Sequence, residues 1–83
     1  MPDALALRRQ VLNLSSYEEF FFLVDGYKDD MKVYAFCFYT FMEKLCIHKN
    51  AFDSGENFVK ICKERNIPEG IIELLTRMVE NMK

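Results

Sequence analysis

The longest apolar run in the sequence, from Met31 to Ile47, predicts a central helix. At about 100° per residue, its charged side chains gather on one side and most of its aromatic side chains on the other. The apolar face comprises Met31, Tyr34, Ala35, Phe38, Tyr39, Phe41, Met42, Leu45 and Cys46. The polar face comprises Lys32, Thr40, Glu43, Lys44 and His48, and it also carries Val33, Phe36 and Ile47. These last three predict that the helix is covered on two sides, by other helices or by a partner.

A β-hairpin over residues 19–42 is the alternative for this region. The segment contains many aromatic and β-branched residues, and Asp25-Gly26 resembles a hairpin turn. A strand would place Lys32 and Thr40 on the same face as Tyr34, because side chains alternate along a strand. A strand also gives no reason for the polar sector to continue to His48. The pattern therefore favours a helix.

Two helices are predicted before the central one. Residues 3–14 carry an apolar line of Ala4, Leu7, Val11 and Leu14. Ser15 and Ser16 each precede a glutamate by three residues, which predicts a capped second helix over about residues 17–24. Gly26 offers an end to that helix, and Asp29 or Asp30 can cap the central helix.

Two more helices are predicted after the central one. Asp53, with Glu56 three residues later, predicts the start of a fourth helix. Asn66 can adopt the left-handed conformation that ends it, with Ile67 packing back on the helix. Pro68 suits the first turn of a last helix that runs to about residue 81. The fold class is therefore predicted as all-α: a single domain over residues 1–83, with four to five short helices bundled around residues 31–47.

The composition predicts aromatic side chains at the surface. The chain of 83 residues is 51% apolar and contains eight phenylalanines and four tyrosines, which is a large aromatic content for so small a body. Exposed aromatic patches commonly mark contacts with another molecule. Phe22, Phe36 and Tyr27, with Tyr39 as a further possibility, are the candidates.

The acidic residues are concentrated in one part of the chain. Between Glu18 and Asp30 there are five acids and one base, although the whole chain carries only −2. Such an edge repels nucleic-acid phosphates and attracts basic protein surfaces. The predicted partner-binding residues are Glu18, Glu19, Phe22, Asp25, Tyr27, Asp29, Asp30 and Phe36.

Other kinds of chemistry find little support in the sequence. Cys37, Cys46 and Cys62, an odd number without framework spacing, predict reduced thiols and a cytoplasmic location. With His48 they lack the paired spacing of a zinc site, and residues 25–30 lack the ligand pattern of an EF-hand. The apolar runs are too interrupted for a membrane span, and the acidic second half of a helix-turn-helix outline at 58–78 disfavours DNA. No metal, cofactor or catalytic group is predicted.

The resulting hypothesis is a small cytoplasmic, non-enzymatic module that binds a protein with a basic surface. In size, acidity and helical pattern the chain resembles small inhibitor, immunity and antitoxin proteins, a resemblance of type without a shared motif; an adaptor is equally compatible. The alternative is a homodimeric helical protein with an apolar small-ligand pocket.

Overall fold

The computed structural model describes residues 3–82, and within them the chain forms five helices and no strand. The all-α prediction is confirmed, and the hairpin over residues 19–42 is wrong because that region lies in two helices and the turn between them. The helices are α1 (Ala4–Leu12), α2 (Tyr17–Asp25), α3 (Met31–Ile47), α4 (Gly55–Glu64) and α5 (Glu69–Asn81).

Side-chain caps begin the first four helices. Asp3 accepts a hydrogen bond from the Leu5 amide, and Asp30 accepts one from the Val33 amide. Ser16 caps α2 as predicted. For α4 the prediction of Asp53 was wrong, because the Ser54 side chain accepts the Asn57 amide. The carboxylate of Asp53 is instead bonded to other groups, which are described in the Discussion.

The end of α4 follows the predicted geometry. Asn66 has φ 59°, in the left-handed region that asparagine tolerates better than most residues. The Ile67 amide then donates to the Cys62 carbonyl at 3.1 Å, and the Ile67 side chain is buried. This closure turns the chain sharply into α5.

The core is built around four phenylalanines from three helices. The Phe20 ring of α2 stacks on Phe41 of α3 with centroids 4.2 Å apart, and it meets Phe38 edge to face at 5.0 Å. Phe58 of α4 completes the cluster, 5.6 Å from Phe20. Offset and edge-to-face pairs of this kind add to the stabilisation from burial alone. The cluster fixes α2 against α3 and α4.

Helix α3 is covered on more than one side, as predicted. It packs against α1, α4 and α5. On the α1 side, Arg8 Nη2 lies 2.7 Å from Glu43 Oε1, and Lys44 Nζ donates to the Leu14 carbonyl. Neighbouring helices therefore cover much of the polar side of the central helix, including its buried Val33.

This packing overturns three predicted orientations. Thr40, which was expected to face water, is fully buried. It lies one turn before Glu43 and Lys44, on the side of α3 that meets α1. Met31 and Tyr39, which were expected in the core, are 51% and 40% exposed. The apolar face of α3 is therefore rotated towards Val33, Cys37 and Thr40 relative to the prediction.

Replacing Thr40 with valine should stabilise the protein. The buried Thr40 Oγ1 has no hydrogen-bond partner among residues 3–82, and an unsatisfied buried hydroxyl costs about 1–3 kcal/mol. We expect Thr40→Val to raise the free energy of unfolding by about 1 kcal/mol, measured by urea denaturation. Thr76→Val is the matched control, because Thr76 Oγ1 donates to the Ile72 carbonyl at 2.8 Å. Equal effects of the two substitutions would contradict this explanation.

Candidate protein interface

Three consecutive phenylalanines on α2 have different environments. Phe20 and Phe21 are buried, whereas Phe22 is 86% exposed. The 100° step of a helix explains the difference, since two neighbouring positions can face the core while the third points away. Phe21 also supports Arg65, whose guanidinium carbon lies 3.9 Å from the ring centroid. Phe22 is the most exposed of the large apolar side chains in the described part of the chain.

Phe22 lies beside an apolar groove, which we call the α2 groove. The groove has a volume of about 510 Å³. Three of its lining side chains, Leu14, Leu23 and Tyr27, are half-buried and pack against the core on one side. Its lining is completed by Gln10, Glu19, Phe22 and Gly26. An exposed aromatic ring thus borders a depression that already holds other apolar side chains.

Carboxylates surround Phe22 on the outer face of α2. Glu18 lies four residues before Phe22 and Asp25 three residues after it, so all three share one face of the helix. Both acids are exposed. Asp25 Oδ1 lies 3.4 Å from Lys28 Nζ in an exposed pair, which contributes little to stability. The face therefore carries a ring framed by negative charge.

Glu19 has a structural role as well as a position in the groove. Its Oε1 accepts hydrogen bonds from the Ser15 amide and from the hydroxyls of Ser15 and Ser16. The Ser15 amide bond is the main reason that the pKa of Glu19 lies below its ordinary value. The carboxylate is consequently charged at neutral pH, but replacing it would also damage the start of α2.

The structure brings most of the predicted binding residues to one region. Glu19, Phe22 and Tyr27 line the α2 groove, and Glu18 and Asp25 share the face of Phe22. Asp29 and Asp30 are exposed in the turn that leads into α3, where Asp30 is also the cap. Phe36 is half-buried against the core and does not line the groove.

A second apolar surface was not identified from the sequence. It lies where the C-terminal ends of α3 and α5 meet, and we call it the α3/α5 patch. Ile47 and Met82, its most exposed members, are 62% and 57% exposed. The position of Ile47 on the polar side of α3 was the only sign of it in the sequence. The patch is lined by Tyr39, Glu43, Cys46, Ile47, Met78, Asn81 and Met82.

The three cysteines are free thiols in apolar surroundings. Burial raises the pKa of Cys37 to about 11 and that of Cys62 to about 12. Burial also raises the pKa of Cys46, whose Sγ lies 3.5 Å from Met42 Sδ. All three thiols therefore stay protonated at neutral pH, a state in which cysteine is a weak nucleophile and a poor metal ligand.

Two further observations concern residues 3–82 only. No three histidine, cysteine, aspartate or glutamate side chains among them are grouped so that they could hold a metal ion. None of the helices in the same range is both long enough and apolar enough to cross a bilayer.

Comparison with known proteins gives no match: no family model, no curated protein and no solved structure matches this chain.

Proposed function

We propose that this protein is a cytoplasmic, non-enzymatic module that binds another protein through Phe22 and the acidic face of α2. The exposure of Phe22 carries the proposal. Water contact with a phenylalanine side chain forgoes about 1.5–3 kcal/mol that burial would provide. The neighbouring Phe20 and Phe21 secure α2 to the core, so Phe22 has no evident task in folding. A rigid aromatic side chain beside an apolar groove is a typical interface anchor.

The charges around Phe22 support a partner with a basic surface. The segment from Glu18 to Asp30 carries five acids and one base, and the acids are exposed. Complementary charge accelerates encounter and orients the partner, while burial of the ring supplies affinity. The protonated, unpaired thiols support a reducing compartment such as the cytoplasm.

Affinity capture from a lysate of the source cells tests this proposal. The tagged full-length chain should recover one protein near stoichiometry, and Phe22→Ala should reduce the recovery about tenfold because the anchor is lost. Glu18→Lys with Asp25→Lys should reduce it as well, by reversing the local charge. Glu19 is left intact because it caps α2.

Matched controls separate the α2 surface from the rest of the molecule. Ile47→Ala removes another exposed apolar side chain, and Glu73→Lys reverses another exposed acid. Both should leave the recovery unchanged. A partner lost with Ile47→Ala but retained with Phe22→Ala would contradict the proposal.

A homodimer is the second candidate function, and the α3/α5 patch favours it. The charged residue that lines this patch, Glu43, is paired with Arg8, so two copies could meet there without strong repulsion. The depression holds about 210 Å³, below the roughly 300–1,000 Å³ of small-molecule sites. Protein contact is therefore better supported there than a small ligand. Recovery of the untagged copy alone, abolished by Ile47→Ala, would favour this candidate.

A further inference from the structure

We infer that the segment bound at the α2 groove is an amphipathic helix with lysine or arginine beside its apolar stripe. This inference rests on the proposed function and specifies the partner. It follows from three features of the groove: the helices that form it, its apolar lining and its charge.

The helical surroundings of the groove select against an extended peptide. An extended segment usually binds by adding a strand to a sheet edge, which satisfies its backbone hydrogen bonds. The described residues form no strand, so they offer no such edge. A helix satisfies its own backbone groups and can pack its side chains against other helices. The groove is therefore better suited to a helix.

The apolar lining sets the spacing of the partner's side chains. Leu14 approaches the groove from the segment after α1, whereas Phe22, Leu23 and Tyr27 belong to α2 and the turn after it. The nine residues of α2 extend for about 13 Å. A partner helix that crosses this length would place apolar side chains at positions i, i+3 or i+4, and i+7 against them.

The charge around the groove selects a basic sequence. Glu18 and Asp25 lie beside Phe22 on the outer face of α2, and Glu19 lies within the groove. A second copy of the chain would bring the same carboxylates together, and a nucleic acid would bring phosphates to them. Lysine or arginine next to an apolar stripe complements both features of the surface.

A displayed library of random peptides, about 16 residues or roughly four helical turns long, tests this inference. The library is selected on the immobilised full-length chain and depleted on its Phe22→Ala variant, after far-UV circular dichroism has established that the variant is folded. We expect enriched sequences to combine apolar residues at helical spacing with an excess of lysine and arginine. Enrichment of acidic, uncharged or proline-rich sequences, or no enrichment, would overturn the inference.

Affinities of one enriched peptide, synthesised with a tryptophan, provide the quantitative test. The chain contains no tryptophan, so fluorescence reports the peptide alone. Phe22→Ala should weaken binding about tenfold, and Asp25→Lys should weaken it by an amount that shrinks as salt is added. Ile47→Ala should leave the affinity unchanged. A peptide that is sensitive to Ile47→Ala alone would place the interface on the α3/α5 patch and overturn the inference.

The two experiments fail in different ways. A captured partner that requires Phe22, together with no enriched basic helix, would retain the proposed function and remove this inference. Loss of Phe22 dependence in both experiments would remove both.

Discussion

Phe20→Ala is expected to remove most of the stability of the fold. The substitution empties the centre of the aromatic cluster, where Phe20 contacts Phe38, Phe41 and Phe58. Truncation of a buried phenylalanine costs about 3–5 kcal/mol. A domain of 83 residues has a total stability of about 4–12 kcal/mol, at roughly 0.05–0.15 kcal/mol per residue. Urea denaturation followed by far-UV circular dichroism would measure the loss.

Phe22→Ala is the matched control, since it makes the same chemical change two residues away. Phe22 is 86% exposed, so its truncation should change the free energy of unfolding by no more than about 0.5 kcal/mol. If Phe20→Ala does not fold, Phe20→Leu should still fold, at a cost of about 1.5 kcal/mol. Similar losses for Phe20→Leu and Phe22→Ala would contradict the assignment of one ring to the core and the other to the surface.

The helices could be predicted because local signals agree with the apolar pattern. Ser16 and Asp30 cap α2 and α3, and Asn66 ends α4 in the left-handed conformation. Each signal depends on residues within one helical turn of the boundary, and a sequence shows such neighbours directly. The cap of α4 was the exception. Asp53 and Ser54 are both competent caps, and a contact with distant Tyr17 engages Asp53.

The orientation of α3 could not be predicted, because it depends on which helices cover it. The moment of a helix that is apolar nearly all round is weak, so small differences in packing decide the orientation. Arg8 and Glu43 join α1 to the polar side of α3, which leaves Thr40 inside. No local feature of the sequence announces a pairing between residues 35 positions apart.

The candidate interface was only partly predictable for the same reason. Local helical geometry places Glu18, Phe22 and Asp25 on one face, and the sequence shows their spacing directly. The groove also needs Leu14, which reaches it through the tertiary placement of the segment after α1. Phe36 was chosen by a similar pattern, yet it is half-buried against the core.

Tyr17→Phe should remove a hydrogen bond that joins α2 to the segment before α4. Tyr17 Oη donates to Asp53 Oδ2 at 2.5 Å. The same carboxylate accepts from Asn57 Nδ2 at 2.6 Å and from the Ser54 amide at 2.8 Å. Phenylalanine keeps the ring that packs on Phe58, so the change isolates the hydroxyl. We expect a loss of about 1.5 kcal/mol at neutral pH, the lower end for a bond to a charged group, because Asp53 retains its other donors.

The pH dependence of that loss tests its cause. The hydrogen bond from Tyr17 is the main reason that the pKa of Asp53 lies below its ordinary value of 3.8. The resulting stabilisation is present above that value and is lost as the pH falls through the folded-state pKa. Burial, with the Asp53 bond second, raises the pKa of Tyr17 above its ordinary value of 10.0. That stabilisation is present below 10.0 and is lost as the pH rises towards the folded-state pKa.

The difference in stability between the wild type and Tyr17→Phe should therefore be greatest at neutral pH and smaller in acid and in alkali. Urea denaturation at the three conditions measures it. Tyr39→Phe, at an exposed tyrosine, should change the stability by less than about 0.5 kcal/mol at neutral pH. A difference for Tyr17→Phe that stays constant across pH would show that the hydroxyl acts through packing and not through the ionised carboxylate of Asp53. The segment before α4 would then be held by its apolar contacts, with Phe52 packed on the Tyr17 ring at 5.0 Å as the principal one.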